Sequence, residues 1–143
     1  MSRKHPIIAV TGSSGAGTPA VRHAFENLFR REINARAAFI EGAGLHRLDR
    51  TAFHAAEAEA GNNTFSHFGP AANHFDKIEE MFRSYGETGM CKRRYYVHSE
   101  ADAERHNKHF GLTDLEPGVF TPWEDIEANS DLLIYEGLHG LVA

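Results

Sequence analysis

The sequence is poor in cysteine, in long apolar runs and in excess positive charge, and each shortage closes off a class of protein. Cys91 is the only cysteine among 143 residues. No intrachain disulfide or multi-cysteine zinc site can form, and a reducing compartment suits the chain. The longest apolar stretches, residues 6–10 and 132–135, fall far short of the ~20 residues that a membrane-spanning helix needs. Thr11, Gly12, Ser13 and Ser14 end the first of them before it reaches the length of a secretory signal, so the expected location is the cytoplasm, with no membrane partner. Lysine and arginine total 15 against 20 acidic residues, a net charge of −5 that argues against nucleic acid as a partner. No repeat or low-complexity tract divides the chain, and 41% hydrophobic with 24% charged residues is the balance of one globular domain spanning residues 1–143.

What is present is a series of strand and helix signals in α/β order. Residues 6–11 carry no polar residue at alternate positions, the pattern of a central parallel strand buried on both faces. A glycine-serine turn follows, and then Val21, Phe25, Leu28 and Phe29 recur at helical spacing with Arg22, Glu26 and Arg30 opposite. Residues 37–40 form a second apolar run, predicted to return as the parallel neighbour of the first through a right-handed crossover. Residues 51–60 read as a helix stopped by the turn at 61–63, with a surface loop after it. Pro70 suits the first turn of a helix whose apolar stripe is Phe75, Ile78, Phe82 and Tyr85, with Gly86 as its stop. Residues 95–97 look like a strand, 100–109 like a polar helix, 111–123 like a loop, and 132–135 like a last buried strand ending at Glu136 and Gly137.

The residues Gly12, Ser13, Ser14, Gly15, Ala16, Gly17 and Thr18 match the G-x-x-x-x-G core of a Walker A loop, placed directly between an apolar strand and a helix. Glycines let several N–H groups turn inward, and the helix N-terminus adds partial positive charge, so the segment suits phosphate. The usual lysine and Mg²⁺-ligating hydroxyl after Gly17 are replaced by Thr18 and Pro19. Proline also removes an N–H while fitting the first helical turn. Losing a donor and a metal ligand together is expected to cost roughly two orders of magnitude in ATP·Mg²⁺ affinity.

With that loop, the chain resembles the N-terminal half of bacterial phosphoribulokinases, P-loop kinases that phosphorylate ribulose 5-phosphate in the Calvin cycle. The resemblance rests on residues 6–8 and 12–18, on Phe29-Arg30-Arg31-Glu32, and on Ile40-Glu41-Gly42 with Leu45-His46-Arg47. It continues through Thr64-Phe65-Ser66-His67-Phe68, residues 85–89, Tyr96-Val97-His98, Pro117-Gly118 with Phe120, Thr121 and Trp123, and Tyr135-Glu136-Gly137-Leu138-His139-Gly140. It implies a P-loop NTPase-like fold, a mostly parallel sheet flanked by helices, incomplete here because the family's chain is roughly twice as long. It also implies ATP and Mg²⁺ as cofactors and a homo-oligomer when full length. By resemblance, residues 12–18 bind ATP, Glu136 takes the Walker B role of ordering Mg²⁺, and His46, Arg50 and His98 hold the sugar phosphate. Arg31 would belong to an interface site for an activating NADH. Thr18 is in the family's pattern; Pro19 and Ala20 are not.

One departure bears directly on the chemistry. The family's Glu-Gly is followed by an aspartate acting as general base, whereas Glu41 and Gly42 are followed by Ala43. Alanine accepts no proton, and loss of a positioned base lowers turnover by about 10²–10⁴. Asp49, six residues on, gives no sign of taking its place.

Read from the residues alone, Arg47 and Arg50 also suit a solvated helix start, Glu136 an exposed strand end, and Arg31 a surface position. His106 and His109 share a helical face, but no third ligand, H-E-x-x-H motif or cysteine pair accompanies them. Cys91 has no activating neighbour in sequence. Three functions follow. The first is phosphoryl transfer from ATP to ribulose 5-phosphate, impaired as the sequence stands. The second is a catalytically dead nucleotide-binding or interface module of the same descent. The third, less well matched, is a uridine-kinase-type P-loop kinase.

Overall fold

The computed structural model describes residues 4–12, 17–61 and 65–141. Its centre is a three-stranded parallel sheet of β1 (Ile7–Thr11), β2 (Ala37–Glu41) and β5 (Leu132–Gly137), in the order β1-β5-β2. The last strand therefore lies between the first two, and β1 and β2 are not neighbours as the sequence predicts. Burial explains the choice. Leu132, Leu133, Ile134 and Tyr135 are all buried, and a strand apolar on both faces is best placed where both edges are covered as well. β1, predicted to be central, instead forms an edge, with Ala9 and Thr11 exposed.

Each face of the sheet has its own helix. Alternation along β2 and β5 sends Ala38, Ile40, Leu133 and Tyr135 to one side, where they form the core with Ile78, Met81 and Tyr85 of α3 (Phe75–Thr88). On the other side Arg22 of α1 (Thr18–Leu28) lies 5.4 Å from the ring centroid of Phe39. A π-helical turn, Phe29–Ile33, closes α1 at Asn34.

Helix α3 starts five residues later than Pro70 suggests. Residues 72–74 are held instead against 45–47, through Arg47 N–H to Ala72 O at 2.8 Å and His74 N–H to Leu45 O at 2.9 Å. The helix also runs through Gly86 to Thr88 and stops at Gly89, whose left-handed backbone (φ 75°) supplies the turn that Gly86 does not.

The predicted strand at 95–97 does not join the main sheet. The chain from β3 (Lys92–Arg93) to Val97 runs antiparallel to the chain from Gly118 to β4 (Glu124–Asp125). The predicted helices at 51–60 and 100–109 are present as α2 (Arg50–Ala60) and α4 (Glu100–Phe110). Helix α4 is polar but well ended. Ser99 caps it, Glu100 and Asp102 occupy its first turn, and Lys108 and His109 its last, each suiting the helix dipole.

Candidate active site

The carboxyl ends of three parallel strands open on one side of the sheet, where α/β folds place their ligands. Glu136 and Glu41 emerge there as register partners. Both line a cavity of about 560 Å³, together with Arg22, Arg105, His106 and His98. Arg22 donates to the carboxylates of both Glu41 and Glu26, so α1 is tied to the end of β2.

A second cavity of about 240 Å³ is lined by Ala43, His46, Asp49, Arg50, His67 and His98, with His98 common to both. The structure thus brings together the three residues predicted to hold a sugar phosphate and places Ala43 among them. Local structure accounts for the convergence. The 3₁₀ turn Gly42–Leu45 carries the chain off β2, and His46 follows it. Its imidazole Nδ1 is 2.8 Å from Asn73 Oδ1, and its carbonyl accepts from Arg94. Arg50 opens α2, with its N–H on Gly118 O at 2.9 Å. Burial pulls the His46 imidazole below the usual histidine range; the Asn73 hydrogen bond opposes this, and His67, His139 and His98 add to it.

Asp49 also lines this cavity, but its carboxylate is engaged, accepting from Ala52 N–H at 2.8 Å as the N-cap of α2. The methyl group of Ala43 leaves the cavity without a base at that point.

Of the predicted phosphate loop, Gly12, Gly17 and Thr18 are among the described residues; Ser13, Ser14, Gly15 and Ala16 lie outside them. Helix α1 begins immediately after Gly17, and among the described residues no side chain caps it and no acidic residue lies in its first turn. Arg31 is exposed in the π-helical turn.

His106 is buried and stacked on Tyr95 at 4.7 Å, whereas His109 lies 2.7 Å from Glu124. Among the described residues no group of three or more potential ligands could hold a metal by itself. Mg²⁺ is commonly held by one or two carboxylates plus substrate phosphates, and Glu136 beside Glu41 fits that mode. Burial pushes the Cys91 thiol up to about 12, in keeping with an inert core thiol.

Sequence reading missed Asn73 and Glu41. Glu41 carried a signal, since a Glu-Gly pair closes β5 and also spans the end of β2 and the turn that follows it. Asn73 carried none, because the imidazole it orients lies 27 residues away and is brought to it only by the fold.

A parallel sheet with helices on both faces and ligand-facing carboxylates at its carboxyl edge matches a P-loop kinase-like fold. The chain belongs to the phosphoribulokinase/uridine kinase family, whose description matches residues 7–143. It is 51% identical to a phosphoribulokinase of Nitrobacter vulgaris over 145 residues, covering 99% of this chain and 47% of the relative. It is 50% identical to phosphoribulokinase 1 of Cereibacter sphaeroides, again covering 99% of this chain and 47% of the relative. The solved phosphoribulokinase from Rhodobacter spheroides superposes with a TM-score of 0.71 at 39% identity, covering 96% of this chain and 44% of that one. The chain therefore spans about half the length of the curated relatives it matches, and corresponds to their N-terminal half.

Proposed function

We propose that this chain carries the nucleotide and sugar-phosphate sites of a phosphoribulokinase, transferring the γ-phosphoryl group of ATP to ribulose 5-phosphate at a much reduced rate. The observation that carries this reading is the single cavity shared by His46, Arg50 and His98, beside the sheet edge where Glu136 emerges. Its volume, about 240 Å³, lies just below the usual range for ligand sites and suits only a small metabolite. Residues 12–18 cradle the ATP phosphates at the start of α1, and Arg50 engages the phosphate of the sugar through charge-assisted hydrogen bonds. Glu136 would hold Mg²⁺, directly or through water. That ion would supply neutralisation of charge on the phosphates. Catalysis of this kind is mainly positioning and electrostatics, so the shared cavity retains function even without a base.

A second reading has its own support. With Ala43 at the base position and Asp49 committed to a helix cap, the chain suits a nucleotide-binding or interface module that no longer turns over. Arg31, exposed in the π-helical turn after α1, is then the candidate for an NADH-linked contact between subunits of a homo-oligomer.

Calorimetric titration with ATP·Mg²⁺ and then with ribulose 5-phosphate tests both. Sub-millimolar binding of each, with the sugar phosphate lost in Arg50→Gln, is expected. Absent or millimolar nucleotide binding removes the kinase reading, and nucleotide binding without ADP release favours the silent module.

A further inference from the structure

The relationship between His46 and Asn73 fixes more than the position of a ring. Asn73 is 2% exposed, and its amide is held in one orientation. Nδ2 donates to His67 O at 2.6 Å and to Gly69 O at 3.0 Å. Rotating the amide by half a turn would place Oδ1 against two carbonyl oxygens, so Oδ1 must be the atom that faces His46 Nδ1. An amide oxygen only accepts, and the imidazole must therefore carry its proton on Nδ1. The backbone reinforces the arrangement, since residues 45–47 and 72–74 are paired as an antiparallel bridge. Nε2 is then the ring nitrogen left to the cavity that His46 shares with Arg50, Asp49, His67 and His98.

We propose that Asn73 is a positioning residue that locks His46 as its Nδ1–H tautomer, so that Nε2 accepts a hydrogen bond from a hydroxyl of the sugar phosphate while Arg50 takes the phosphate. The proposal rests on the sugar-phosphate reading above and divides the labour within that site. A neutral Nε2 lone pair repels a phosphate oxygen and matches a hydroxyl donor, whereas a guanidinium has donors only. The groups around the ring are consistent with a neutral imidazole. Burial disfavours its protonation most, against the Asn73 hydrogen bond, and His67, His139 and His98 add to the effect; Arg50 shares its cavity, Arg94 occupies its carbonyl, and the Asp49 carboxylate is turned to Ala52.

The decisive measurement is ¹⁵N NMR of the histidine-labelled full chain at pH 7.5 or above, without ligand. A protonated Nδ1 and an unprotonated Nε2 at His46 are expected; the reverse pattern overturns the assignment and needs no variant. In Asn73→Ala the Nε2–H form should appear, and ribulose 5-phosphate should bind about tenfold more weakly while inorganic phosphate binds as before. Equal loss of both ligands overturns the division between His46 and Arg50. The expected tautomer without any binding of ribulose 5-phosphate supports the role of Asn73 and overturns the substrate reading instead.

Discussion

Glu41 and Glu136 are register partners at the carboxyl ends of β2 and β5, two carboxylates on one face of the sheet about 5 Å apart in backbone spacing. Like charges so placed repel, and the arrangement persists because Arg22, from α1, donates to Glu41. The pair therefore separates by role: Glu41 joins sheet to helix, and Glu136 is the candidate metal carboxylate.

Arg22→Met should destabilise the fold by about 1.5–3 kcal/mol, the size of a hydrogen bond to a charged group. Adding Glu41→Gln should recover a good part of that loss by removing the repulsion. Urea unfolding of the two variants and their combination checks this, and simple additivity would contradict it.

Restoring a carboxylate at the base position should restore turnover. In a chain completed with the remaining half of the Nitrobacter vulgaris relative, Ala43→Asp should raise coupled ADP release by ~10²-fold or more. Asp49→Ala should cost about 1 kcal/mol of stability through the lost cap and leave that rate gain intact. A rate that follows Asp49 rather than residue 43 would reverse the assignment.

Tyr135 is fully buried, with its ring edge-to-face against Phe82 and its hydroxyl wedged between Gly42 and Gly137. A Cβ at Gly137 would lie 2.8 Å from that hydroxyl oxygen, and one at Gly42 would collide with it outright. Gly42→Ala should thus cost about 1–3 kcal/mol through overpacking. The hydroxyl makes no well-formed hydrogen bond among the described residues, and burial pushes it up to about 12 against a pull from the His139 amide. Tyr135→Phe should be neutral or stabilising, and should rescue part of the Gly42→Ala loss in thermal melts.

Stability should fall as pH drops from 7 to 5. Burial holds His46, His74, His106 and His139 below the usual histidine range, so the unfolded chain takes up protons near pH 6.5 that the folded chain accepts only at lower pH. Their contribution is complete above about pH 6.5 and is lost as pH falls through the folded values. The carboxylates held low, such as Glu124, act only below about pH 5 and leave this window to histidine. For Glu124, burial opposes ionisation, but hydrogen bonds from His109 and Arg93 outweigh it. Urea midpoints across the window should decline, and less steeply in His106→Gln.

The amino-acid sequence by itself determined the α/β class, the three apolar strands, and the existence of the helices that became α1, α2, α3 and α4. These are legible because periodicity, caps and turn residues act over a few neighbours. That Ala43 follows Glu41 and Gly42 is a matter of residue identity alone. Strand order was decided only in three dimensions: inserting β5 between β1 and β2 depends on which strand gains most from burial on every side, a comparison no local window makes. The late start of α3 and the extended 92–97 segment follow from partners more than twenty residues away. The same holds for the tautomer of His46. Asn73 reaches it across 27 positions, whereas the direction of its amide is set locally, by the carbonyls of His67 and Gly69.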